Sequence, residues 1–109
     1  MPVMSELIKK GVSGKIRSID PPVTVPAWMC MMTGKDPVEL GIYGFRNRAN
    51  YSYDKLVIPT SNAVSDKAVW EILSDAGLKC IVLGVPLTYP AKKINGKLAA
   101  CFLTPSKKH

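Results

Sequence analysis

Pro21-Pro22-Val23-Thr24-Val25-Pro26-Ala27-Trp28 sets a hydroxyl residue behind a rigid Pro-Pro entry, at the first turn of an apolar helix. A hydroxyl in that position can attack phosphorus. Unpaired first-turn amides and the positive end of the helix dipole attract a phosphoryl group and stabilise an alkoxide. A threonine hydroxyl is a weak nucleophile at neutral pH, so it needs a base or a divalent cation beside it. Serine and threonine also cap helices everywhere, and on spacing alone the capping account of Thr24 prevails.

The elements that must hold Thr24 are readable from the pattern. Pro2 suits a helix N1 position, with Met4, Leu7 and Ile8 as its apolar stripe and Gly11 closing it. Lys15 to Ile19 alternates and predicts a short strand, and a residue before proline is pushed to extended backbone at Asp20-Pro21-Pro22. A helix then starts at or near Thr24. Pro26 is tolerated in its first turn, Trp28, Met31 and Met32 form its buried stripe, and Gly34 ends it. The methionines read as core rather than as ligands.

Residues 37 to 52 read as loop and Tyr53 to Pro59 as extended. Ser65 or Asp66 is expected to cap a helix that buries Val69, Ile72, Leu73 and Ala76 and stops at Gly77. Lys79 to Val85 is a continuous apolar run, the pattern of a central parallel strand covered on both faces. Asn95-Gly96 marks a turn, and Leu98 to Leu103 is a last extended stretch. Strand-helix-strand alternation predicts an α/β layer architecture.

Composition narrows the partners. Fifteen Lys and Arg against eight Asp and Glu give +7, which favours anions such as phosphates and nucleotides. The lysines are scattered apart from the terminal Lys107-Lys108, and no aromatic-interleaved RNA signature is present, so nucleic acid is not the expected partner. Cys30, Cys80 and Cys101 are an odd, widely spaced set without a C-x-x-C pair, which fits buried free thiols rather than zinc or redox chemistry. No apolar run approaches the roughly 18 residues of a membrane span, and no signal peptide precedes the first helix. The cytoplasm is the expected compartment.

Thr24-x-Pro26, Thr33-Gly34 nine residues after Thr24, and Gly41-Ile42 seven after that glycine keep one register. In that register the chain resembles the nucleophile segment of the type I phosphodiesterase/nucleotide pyrophosphatase family, in the alkaline phosphatase superfamily. The likeness extends through Leu7 to Ser18, Thr60-Ser61, Val69 to Leu73, Gly77-Leu78, Val85 to Pro90 and Phe102 to Ser106, where it looks like the microbial phosphohydrolase branch. The resemblance implies metal-dependent phosphoester hydrolysis with Thr24 as covalent nucleophile, on a phosphate ester or nucleotide substrate. It implies an alkaline-phosphatase-like fold, a mostly parallel sheet with helices on both faces.

Members of the superfamily hold two divalent metals, of the zinc or manganese type, with Asp and His residues. The resemblance puts one such Asp on a strand ahead of Met1 and the others far downstream. His109 on the charged tail reads as a solvent residue, and Asp20, Asp36, Asp54, Asp66 and Asp75 sit at turns and caps. A zinc site wants about four ligands, at least three from protein, so none is expected to bind this chain alone. Residues 1–109 are expected to form one incomplete domain, inactive by itself, that self-associates or pairs with the missing part of the fold. In such an enzyme Thr24 would meet metal only as its alkoxide.

Leu40 stands where many relatives carry His, and Phe45 stands where nucleotide pyrophosphatases carry a phosphate-holding Asn, twenty-one residues after Thr24. Arg46 and Arg48 follow at once and can donate to a phosphate in bidentate geometry, against the plain account of two solvated loop arginines. Two other functions compete with hydrolysis: a non-catalytic fragment or phosphate-binding remnant, and, resting only on charge, a small nucleic-acid module.

Overall fold

The computed structural model describes residues 1–50 and 52–105. Helix α1 spans Pro2–Lys10, with Pro2 at N1 and Gly11 at the C-cap. Its apolar stripe forms as the spacing predicts but stays outside the core: no residue of α1 is buried. The exposed chain continues through Val12 and Ile16. Lys15 to Ile19 forms no strand, because no partner strand lies beside it. The Pro21-Pro22 step closes into a tight turn rather than running fully extended, with Val23 N–H donating to Pro21 O (2.9 Å).

Helix α2 is Thr24–Thr33, ended by Gly34 in left-handed backbone (φ 72°) whose N–H donates to Cys30 O (2.9 Å). Its buried face is Val25, Pro26 and Met29, with Met32 half-buried. Trp28 and Met31, expected inside, lie outside at 39% and 58% exposure. The helix carries no charged residue to mark its wet side, so the sequence offers two apolar stripes and packing selects one.

The stretch expected to be loop contains a one-turn helix α3, Pro37–Leu40, and strand β1, Asn47–Arg48. Asp36 and Glu39 form a reciprocal capping box on α3. β1 pairs antiparallel with β2, Leu56–Val57, the only strand within Tyr53 to Pro59 among the described residues. Helix α4, Val69–Asp75, is entered from Ala68, whose N–H donates to Glu71 (3.0 Å), not from Ser65 or Asp66. It buries Trp70. Val69, Ile72, Leu73 and Ala76, expected inside, are exposed, because Trp70 takes the core side of the helix, where its backbone carbonyl accepts from the buried Cys80 thiol (3.7 Å).

Strand β3, Cys80–Leu83, pairs in parallel with β4, Gly96–Ala99. The sheet is therefore one parallel pair and, separately, one antiparallel pair, not the larger mostly parallel sheet expected. Cys80 and Val82 are buried while Ile81 and Leu83 are 74% and 69% exposed, so β3 is covered on one face only. The α/β class stands; the second layer of helices is not found among the described residues. The core gathers Val25 and Met29 of α2, Leu40 and Ile42, and Trp70 against the inner face of β3. Cys80 and Cys101 are buried free thiols as expected, whereas Cys30 is half-buried. Among the described residues no helix is long and apolar enough to cross a membrane.

Candidate functional site

Thr24 is the first residue of α2, one position inside the N-cap residue Val23, which is extended (φ −103°, ψ 134°). The helical ladder starts with Ala27 N–H on Val23 O (3.0 Å). The amides of Thr24 and Val25 therefore have no intrahelical acceptor, and Pro26 has no N–H to offer. No side chain caps the helix, Thr24 is exposed, and its hydroxyl bonds to no described residue. The capping account of Thr24 thus loses its bond. Fully buried Val25 and Pro26 anchor this end of the helix, which fixes where the hydroxyl stands.

A second group of donors is carried by the turn after α3. Gly41, left-handed at φ 64°, ends the helix, and wholly buried Ile42 pins the chain to the core. Asn47 then clamps the turn: its Nδ2 donates to Gly41 O (2.9 Å) and its Oδ1 accepts from Tyr43 N–H (3.4 Å). Arg46 and Arg48 flank it, both exposed, and line one hollow with Tyr43, Asn50 and Leu56. The Arg48 guanidinium stacks 3.6 Å from the Tyr53 ring centroid, which covers its face and leaves its edge donors open. Neither arginine forms an ion pair with a described residue. The two arginines share the hollow, and Thr24 is not among the residues lining it. The sequence register points to position 45 rather than to Asn47, whose polar side chain between two arginines is the signal for the clamp.

The electrostatics act on the scaffold of this turn. Glu39 is held below the usual carboxylate range, first by accepting the Asp36 N–H and then by the Lys35 side chain. Lys35 is raised, first by its hydrogen bond to Glu39 (3.1 Å). Glu39's contribution is present above the ordinary glutamate range and is lost as pH falls through its lowered folded value. Lys35's contribution is present below the ordinary lysine range and is lost as pH rises through its raised folded value. The α3 cap is therefore expected to hold across neutral pH and loosen in acid. The amide chemical shift of Asp36, which donates to Glu39, followed through an acid titration, checks this, and Glu39→Gln should remove its transition. On α2, burial and then the nearby Asp36 carboxylate push the Cys30 thiol up, which favours its protonated form.

Metal ligands do not assemble. Among the described residues no group of three or more His, Cys, Asp or Glu side chains could hold a metal ion. The Asp36 carboxylate is taken up by the amides of Val38 and Glu39, Asp54 accepts from Ser52, and Asp75 pairs with Lys67. His109 lies outside the described residues. The described residues thus do not fit a two-metal centre.

No curated protein and no solved structure matches the chain significantly. The family model for type I phosphodiesterase / nucleotide pyrophosphatase does match, over residues 1–107. That span takes in the uncapped Thr24 helix start, the left-handed Gly34 stop and the Gly41-Ile42 turn. By this match the chain belongs to the type I phosphodiesterase / nucleotide pyrophosphatase family.

Proposed function

We propose that this chain carries the nucleophile-bearing part of a phosphoester hydrolase, with Thr24 as the attacking group. The observation that carries the reading is the Thr24 hydroxyl, exposed at the first residue of α2 and not spent on capping, in a chain of this family. In the reaction the Thr24 oxygen forms a bond to phosphorus as the bond to the leaving oxygen breaks. The hydroxyl proton is given up, and the leaving alkoxide is protonated. Water then attacks the threonyl phosphate, releasing phosphate or a phosphomonoester and restoring the hydroxyl. Charge at the attacked phosphorus is met by the open amides of the helix start, and in this reading Arg46 and Arg48 meet substrate charge away from it, since Thr24 does not line their hollow.

No described carboxylate, imidazole or amine hydrogen-bonds the Thr24 hydroxyl, so activation must come from groups other than these. The isolated chain is therefore expected to show no turnover of a nitrophenyl phosphodiester, with zinc or manganese added, above a Thr24→Ala control. The positive test places residues 20–48 in a family enzyme in exchange for its own corresponding segment. Retained aryl phosphodiester hydrolysis supports the reading, and a folded but inert graft overturns it. A non-catalytic, phosphate-binding remnant is the alternative, favoured by the missing ligand set. It predicts the folded, inert graft.

A further inference from the structure

Among the described residues strand β3 has one partner and one open edge. Its bonds to β4 start from Cys80 N–H on Asn95 O (2.8 Å) and end with Gly84 N–H on Ala99 O (3.0 Å). Backbone direction alternates along a strand, so the N–H and C=O groups of Ile81 and Leu83 point to the other edge. A groove runs along β3, lined by Met32, Val69, Leu73 and Val85 together with residues from both faces of the strand. Residues of both faces can line one groove only where the strand edge is open. No charge, proline or bulge interrupts Cys80–Leu83, the devices that ordinarily protect such an edge.

The exposed area says how much is left uncovered. A compact monomer of 11.9 kDa exposes about 6,000 Å², whereas this chain exposes 8489 Å². The excess is roughly 2,500 Å², against the ~800 Å² each partner contributes to a standard interface. Part of it lies on α1, and part on the side chains of Ile81, Leu83, Val69, Ile72 and Leu73 around the open edge.

From this we infer that β3 pairs with β3 of a second copy, antiparallel about a two-fold axis, joining the two parallel pairs into one four-stranded sheet. Residues whose backbone groups face the shared edge must oppose one another, and of the registers this allows, the one that pairs both such residues of Cys80–Leu83 within the strand is the one centred on Val82. Ile81 lies opposite Leu83 of the other copy, Val82 sits on the axis, and each Ile81–Leu83 pair exchanges two backbone hydrogen bonds. The same register puts Lys79 opposite Val85 rather than opposite its own copy, so the flanking cations do not meet. A closed two-fold contact uses one surface twice and leaves no edge at the centre of the sheet.

Sedimentation of the full chain at micromolar concentrations tests this, with two double variants on side chains already exposed. The unaltered chain should sediment at twice the 11.9 kDa chain mass. I81K/L83K puts lysine opposite lysine at both pairs and should raise the dimer dissociation constant at least about a hundredfold. I81K/L83E puts lysine opposite glutamate and should return it to within about tenfold of the unaltered value. A monomer or an open-ended oligomer from the unaltered chain overturns the inference. So does a dimer that survives I81K/L83K, or one that I81K/L83E fails to restore. Circular dichroism of I81K/L83E, altered at the same two positions, separates loss of pairing from loss of fold.

Discussion

In a family enzyme carrying residues 20–48 of this chain, Thr24→Ala is expected to lower kcat by about a thousandfold or more, the scale of losing a covalent nucleophile. Thr24→Ser, which keeps the oxygen, should retain most of the rate. The geometry makes the comparison clean. Thr24 is exposed and bonds no described residue, so removing its hydroxyl breaks nothing in the fold. An N-cap threonine would behave differently, because alanine there costs about 0.5–2 kcal/mol of stability. A melting curve that stays put while turnover collapses therefore points to chemistry. Equal turnover of the alanine and threonine grafts would sink the nucleophile assignment.

The second large effect is on stability. Gly96 opens β4 opposite Cys80 with φ at +147°, and a β-carbon built there meets Cys80 O at 1.8 Å and Cys80 C at 2.8 Å. Both contacts are backbone, so no side chain can swing aside. The strand cannot retreat either, because Asn95 is tied to Gly77 O (2.9 Å) and to Ser74 Oγ (3.1 Å). Gly96→Ala is expected to cost about 2–6 kcal/mol, a strained-backbone penalty joined to a steric one. That is a large share of the roughly 5–15 kcal/mol that holds an ordinary domain. Gly14→Ala, with nothing within 4 Å, is the matched control and should leave the melting temperature nearly unchanged. A Gly96→Ala protein melting within a few degrees of the unaltered chain contradicts the expectation.

Gly96 also shows where the sequence is ambiguous. Asn95-Gly96 predicts a turn, and a strand residue pressed against a neighbouring carbonyl demands glycine just as strictly. Local signals that are backbone constraints were legible: Pro2 and Pro26 at helix starts, Gly34 and Gly77 at helix ends. Burial was not, wherever apolar residues surround an element. Helix α2 has no charge between Thr24 and Thr33, so Val25-Met29-Met32 and Trp28-Met31-Met32 competed without contrast. In α4 a single tryptophan outweighed the aliphatic stripe of Val69, Ile72 and Leu73. For β3, the apolar run predicts cover on both faces, and the described elements supply it on one. The α3 capping box, Asp36 to Glu39, was present in the sequence as a D-x-x-E spacing inside a stretch read as loop. For the proposed site, Thr24 and the two arginines rest on residue type and register alone. The Asn47 clamp could not be named from them, since it depends on a fold-back onto Gly41.

The undocked start of the chain changes what an unfolding experiment counts. Denaturant sensitivity and the heat-capacity change both scale with the surface newly wetted when the fold is lost. Helix α1 buries no residue, and the chain from Gly11 to Ser18 is exposed throughout. Those residues are largely wet before the transition and add little newly wetted surface to it. The cooperative unit is therefore shorter than the sequence, and its m-value and ΔCp belong to a chain that begins near the Pro21-Pro22 turn.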